Sequence, residues 1–233
     1  MEERKHRLKI FNSFHLKLIA VITMTIDHIG VVLMPQYGFL RIIGRIAFPI
    51  YCFMLVNGFF YTKNIRKYIG RMLIFAVISE PFFDWAIFGK IYVKSYQNIY
   101  FTLLTGLIML ECIEFIRKHQ FNELKIISYV LEGIIVILAC GVAIFIRSDY
   151  EFYGILMIYW FYALRFNKVL MGLFEAYTNM ELIGGVQGFA VLALIPIYMY
   201  NGKKGYNKSK WLFYAYYPLH LLIIGLIRQI LFF

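Results

Sequence analysis

Nine apolar runs, separated by short basic or polar stretches, leave this chain little choice but to fold as a bundle of helices in a bilayer. The runs fall at approximately 16–35, 40–61, 69–89, 99–116, 126–146, 152–166, 168–181, 182–200 and 212–231. A hydrocarbon core of about 30 Å takes roughly 20 helical residues to cross. Helices satisfy their own backbone polar groups there, where no water can. The first five and last two runs are long enough. The sixth and seventh are short, and Glu175, Asn179 and Glu181 interrupt the seventh, so the pair reads as half-helices or as one irregular hairpin. With 61% of its 233 residues hydrophobic, the chain keeps no stretch polar enough for a soluble domain or a flexible linker. The expectation is one all-α, multi-pass transmembrane domain over residues 1–233, with about nine helices (eight to ten). Met1–Lys17 is basic, but no small-residue cleavage site follows the first run, which therefore reads as a retained helix.

Charge sets the orientation. The net charge of +11 does not point to nucleic acid, because the cations lie between apolar runs and not along one face. With nine spans and a cytoplasmic N-terminus, 18 Lys and Arg fall inside and six outside; with eight spans the division is 15 to nine. The positive-inside rule favours nine. Cys52, Cys112 and Cys140 sit in separate apolar runs without metal-ligand spacing and read as small buried hydrophobes. No internal repeat is present, and Gly184-x-x-x-Gly188 reads as ordinary helix packing.

Against that background, charges within the runs stand out. A charge at bilayer depth costs at least about 2.5–3.5 kcal/mol, so Asp27 and His28 inside the first run mark a functional site. Arg41 and Arg45 are four residues apart on one face of the second run, as are Glu80 and Asp84 on the third. Gln97–Asn98 and Asp149–Tyr150 lie at the same outer depth. One shared polar cavity in the outer half of the membrane accommodates them at least cost. His220 follows Pro218 in the last run, where the proline frees backbone groups that need partners. Neighbouring residues on a helix point about 100° apart, so Asp27 does not orient His28 and instead pairs with Arg41 or Arg45. A histidine beside carboxylates suits general-base work. Gly-x-Ser-x-Gly, His-Glu-x-x-His and Walker A signatures are missing, and proton-coupled transport stays open on these residues.

Several ordered motifs carry a family resemblance. They are Leu16–Ile19 with Thr25–Gly30, Leu40–Pro49, Gly58–Phe59 with Tyr68 and Arg71, Ser79–Asp84, Gln97–Leu103, Asp149–Tyr150 with Tyr153–Gly154, Tyr200–Gly205, and Phe213–Tyr214 with Tyr217–Leu221. Through these the chain resembles the TraX family of conjugal-transfer membrane proteins along essentially its whole length. The resemblance implies an inner-membrane acyltransferase that moves acetyl from acetyl-CoA, without a metal, to the N-terminus of pilin. By it, His28 is the general base or transient acyl carrier, and Arg41 and Arg45 stabilise the oxyanion or orient a carboxylate. Asp27, Glu80, Asn98 and His220 complete the expected catalytic set. Gly202, Lys203, Lys204 and Gly205 form the expected grip on the CoA phosphates, with Lys63 and Arg66 as a second. Asn57 stands where the family often has an acidic residue. Membership does not fix the acceptor, which is a peptide amine, an envelope glycan or a lipid; a proton-coupled transporter or assembly factor is the non-enzymatic alternative.

Overall fold

A computed structural model describes residues 9–118, 125–206 and 210–232. Among these residues the chain is all-helical, and its two β-bridges are isolated. Helix α1 spans Ser13–Val32 and starts where the Asn12 side chain accepts from the His15 amide at 3.0 Å, satisfying one of the free donors of the first turn. Thr23 and Thr25 lie inside the apolar run, and their hydroxyls donate back to the carbonyls of Ile19 and Val21. Two short helices, α2 (Gly38–Gly44) and α3 (Ala47–Tyr61), share the next apolar stretch and are broken at Arg45–Ile46. Then come α4 (Ile65–Phe88), α5 (Ile99–Lys118), α6 (Lys125–Phe145), α7 (Glu151–Ala163) and α8 (Lys168–Tyr177). A π-helical turn at Thr178–Ile183, a 3-10 helix at Gly185–Ala193 and the short α9 (Leu194–Tyr198) lead to α10 (Lys210–Phe232).

Among the described residues, five helical stretches are long and apolar enough to cross a membrane: Ser13–Val32, Gly38–Tyr61, Ile99–Lys118, Ile126–Phe145 and Trp211–Leu231. Helix α4 has the length, about 36 Å for 24 residues, but carries Arg66, Lys67, Arg71, Glu80 and Asp84. The sixth to eighth runs are shorter in structure than in sequence. Helix α7, the sixth run, has 13 residues. An irregular hairpin is formed by the seventh and eighth runs and not by the sixth and seventh. The eighth, Gly185–Tyr198, is too short to be a spanning helix of its own. Gly184, at φ 70°, turns the hairpin, a conformation that a Cβ disfavours. The hairpin begins and ends at one level, where the Tyr198 hydroxyl donates to the Lys168 carbonyl at 2.8 Å.

Backbone contacts sort the loops into two ends. At one, Phe11 and Asn201 pair, and the Ser13 amide donates to the Lys203 carbonyl at 2.9 Å. The Arg165 guanidinium lies 3.7 Å from the Phe60 ring centroid, and Arg117 holds Glu132 on α6, at the same end. At the other end, Gln97 pairs with Arg147 and Asp149, joining the α4–α5 loop to the α6–α7 loop. The helices meet around a core that includes Leu107, Leu110, Ile155, Ile158 and Phe161, all essentially inaccessible. Helix α10 packs along α4 and α1, and α5 lies between α4, α6 and α7. Exposed Ile126, Val130, Ile137 and Leu138 give α6 an apolar outer face, as a lipid-facing helix requires.

Candidate functional site

The break between α2 and α3 builds the site. At Gly44 a Cβ would run into the Asp27 side chain, so only glycine lets α2 lie this close to α1. That approach brings both arginines to one carboxylate. Asp27 Oδ2 accepts from Arg41 Nη1 at 2.8 Å and Oδ1 from Arg45 Nη2 at 2.5 Å. Arg45 also donates to the Tyr150 hydroxyl at 3.1 Å and to Gln187 Oε1 at 3.3 Å. Gln187 comes from the 3-10 arm of the hairpin and donates to Asn179 Oδ1 in the π turn at 2.8 Å. The irregular hairpin therefore anchors Arg45 from the far side.

Tyr150 reaches this network on strained backbone. Arg147, Tyr150 and Glu151 all have positive φ (53°, 63° and 40°), which costs non-glycine residues energy. The Tyr150 ring stacks on Phe48 with centroids 3.9 Å apart. Beside it, Asp149 accepts from the Tyr96 hydroxyl at 2.6 Å, and its backbone carbonyl accepts from Thr102. Burial raises the Asp149 carboxyl above its ordinary pKa, while the Tyr96 hydrogen bond and the Arg45 charge pull it down.

The two histidines meet. His28 Nδ1 and His220 Nε2 are 2.8 Å apart, and His220 Nδ1 lies 2.9 Å from the Tyr216 carbonyl. A carbonyl only accepts, so in the neutral pair Nδ1 of His220 carries its proton and Nε2 is the acceptor. Nδ1 of His28 must then be the donor, which leaves the His28 Nε2 lone pair free. Pro218 contributes as its chemistry requires. It cannot donate to the Tyr214 carbonyl one turn back, and the Tyr100 hydroxyl does so at 3.2 Å.

Asp27, His28, Arg41, Arg45, Tyr96 and Tyr150 line a cavity of about 360 Å³. A second cavity, about 310 Å³, opens toward the end that holds Ser13 and Thr62, and its lining includes Lys17, Arg71 and Lys204. Met24, Tyr51, Ile99 and Tyr217 line both. The two cavities adjoin at these four residues.

Glu80 and Asn98 do not join the cavity lining. Asn98 is fully buried, donates to Glu80 and to the Ala76 carbonyl, and accepts from the Tyr100 amide. The Asn98 amide also donates to Glu80 at 3.1 Å, so the pair caps α5 and ties it to α4. Asp84 likewise accepts from the Val93 amide at 2.6 Å. Of the expected phosphate grip, Lys204 alone lies on the lining. Gly202, Lys203 and Gly205 shape a loop fastened to Ser13, and Lys63 and Arg66 are exposed at the start of α4. Asn57 lines the second cavity and donates to the Phe53 carbonyl at 2.9 Å. Gln187 escaped the sequence reading because the glycines flanking it suggested packing; a lone amide in an apolar run was its only signal. Tyr51 gave none beyond its aromatic character, and Tyr217 only its place in the Tyr217–Leu221 motif.

The family model described as TraX protein matches residues 13–228. A probable fimbrial assembly protein, FimC of serogroup H1, from Dichelobacter nodosus is 30% identical, covering 92% of this chain and 94% of the relative. An uncharacterized protein of Rickettsia prowazekii (strain Madrid E) is 37% identical over 89 residues, covering 37% of this chain and 36% of its own. No solved structure matches significantly. The family match runs from the first residue of α1 to Arg228 on α10 and takes in every helix that lines the two cavities. The chain belongs to the TraX family.

Proposed function

We propose that this protein is a membrane-embedded acetyltransferase that moves acetyl from acetyl-CoA to an amine, the N-terminus of a pilin-like or other peptide. The observation that carries the proposal is the pair of adjoining cavities, one lined by cations and one lined by His28, which His220 backs, beside two arginines. Such a layout lets a donor from one face and an acceptor from the other meet at the dividing layer. We take the basic end as cytoplasmic, with the N-terminus inside, by the positive-inside rule. The chain then makes nine passes, counting both arms of the hairpin, in keeping with the contact between Ser13 and the Lys203 loop. The bilayer is that of the inner membrane. The name of the Dichelobacter relative, a probable fimbrial assembly protein, agrees with an appendage peptide as acceptor.

In this mechanism the acceptor nitrogen attacks the thioester carbonyl carbon. The new C–N bond forms as the C–S bond breaks, the amine proton passes to His28 Nε2, and the thiolate leaves into the inner cavity. His220 supports the imidazolium through the Nδ1 hydrogen bond. Arg45, held by Asp27, Tyr150 and Gln187, offers a fixed positive field to the oxyanion, the kind of preorganised term that outweighs most others. Arg41 is more exposed and is free to orient a carboxylate of the acceptor.

The test is transfer of radiolabelled acetyl from acetyl-CoA by detergent-purified protein to peptides with free or blocked N-termini. Label on the free amine alone is expected. His28→Ala should cut turnover at least about 100-fold without lowering thermal stability, and His220→Ala should cost less, since it removes only the support. Label on hydroxyls of envelope glycans or lipids would move the acceptor class. No transfer, or full activity in His28→Ala, would overturn the assignment.

A further inference from the structure

The inner cavity has a chemical signature of its own. Its lining carries Lys17 from α1, Arg71 from α4 and Lys204 from the loop before α10, with no carboxylate among its described residues. Cations are expected at this end of the protein, and Lys63, Arg66 and Lys67 illustrate the ordinary case, exposed at the start of α4. Arg71 differs from them. It stands one or two turns deeper, its guanidinium lies 5.6 Å and 6.0 Å from the ring centroids of Tyr68 and Tyr214 and interacts with the Tyr214 hydroxyl, and its Nε alone is buried without a hydrogen-bond partner. Lys17 lies with its ammonium 5.4 Å from the Phe213 centroid, on the same wall. A guanidinium with one buried nitrogen lacking an acceptor, on a lining whose described charged residues are all cationic, is completed by an anion at less cost than it is left alone.

We propose that Arg71, with Lys17 and Lys204, is the seat of a phosphate-bearing ligand whose uncharged arm runs inward to the layer of Met24, Tyr51, Ile99 and Tyr217. The length of that arm follows from α1. Lys17 and Met24 are seven residues apart, about 10 Å of helix, and Lys17 to His28 spans about 16 Å. The ligand is therefore a phosphate ester or anhydride with a long, uncharged tail. Read with the proposed function, on which the identity of the ligand rests, the seat holds the phosphates of CoA. Arg71 is then a specificity-determining residue, because its planar fork fixes phosphate bidentately where a lysine offers a point charge.

The test compares binding of CoA, phosphopantetheine and pantetheine at one salt concentration to wild type, Arg71→Met and Arg71→Lys, with Lys67→Met as the surface-cation control. Wild type should bind the phosphorylated compounds at least tenfold more tightly than pantetheine. Arg71→Met should erase that preference while leaving pantetheine affinity within twofold, Arg71→Lys should restore part of it, and the control should behave as wild type. Equal affinities for CoA and pantetheine in wild type, or an unchanged preference in Arg71→Met, would overturn the seat even if acetyl transfer proceeds. A parallel titration with vesicles containing phosphatidic acid separates the sources. Binding of that lipid lost in Arg71→Met, with no binding of any CoA compound, would uphold the phosphate seat and overturn the acetyl-CoA reading.

Discussion

Replacing Asp27 with asparagine tests how the candidate site is held together. In the wild type the carboxylate is 10% exposed and bridges Arg45, 14% exposed, and Arg41, 36% exposed. The two arms are unequal. Arg41 reaches solvent, so its loss counts as a surface pair, about 0–1 kcal/mol. Arg45 is left with only the neutral Tyr150 hydroxyl and Gln187 amide oxygen. Removing one partner of a buried ion pair costs about 3–5 kcal/mol. Asparagine retains the shape and one acceptor oxygen, which brings the expected loss to about 2–3 kcal/mol, the range of hydrogen bonds to a charged group. For a chain of this size each kcal/mol is roughly 2–4 °C of Tm, so Asp27→Asn should melt about 5–10 °C lower. The assay is a thermal melt of detergent-purified protein, read beside Arg45→Gln and the double variant. If Asp27 and Arg45 act as a pair, the double variant should lose less than the sum of the singles. A melt within 1–2 °C of wild type, or strict additivity, would show that the carboxylate does not hold Arg45.

Gly44→Ala places a methyl on the Asp27 carboxylate and should cost about 1–3 kcal/mol with a parallel loss of turnover. Gly133→Ala meets open space and should be neutral or stabilising by up to about 1 kcal/mol, so equal melts for the two variants would refute the close approach. Glu132→Gln breaks the contact with Arg117 Nη2 at 2.7 Å at the opposite end of the bundle. It should lower stability by about 1–2 kcal/mol while leaving acetyl transfer within twofold, and a tenfold drop in turnover would mean that this pair serves the site.

The sequence made part of the site legible because bilayer cost makes buried charge conspicuous. Asp27, His28, Arg41, Arg45 and His220 all stand out as ionisable residues in apolar runs; depth places the first four together, while His220 joins them only through its contact with His28. Their pairing was only half legible: periodicity shows that Arg41 and Arg45 share a face, but not that both close on the same carboxylate. Glu80 and Asn98 met the same criterion and serve another purpose, since a carboxylate and an amide that cap a helix look in sequence like two that bind a ligand. Gln187 failed in the opposite sense. It lies between Gly184 and Gly188, whose spacing suggests α-helical packing, whereas the backbone there is 3-10 and Gly184 is the hairpin turn. Arg71 belongs to a basic stretch that topology explains already, and beyond its place in a family motif only the burial of its Nε separates it from Lys63 and Arg66.

The layer of Met24, Tyr51, Ile99 and Tyr217 has an electrical consequence. In the proposed function the two cavities open to opposite faces, and the insulating part of the membrane at this point then shrinks to the thickness of a few side chains. A resting potential then drops mainly across that septum and not over the full bilayer. A unit charge that crosses it, such as a proton passing from the outer hollow to the inner one, exchanges about 2.3 kcal/mol per 100 mV with the field.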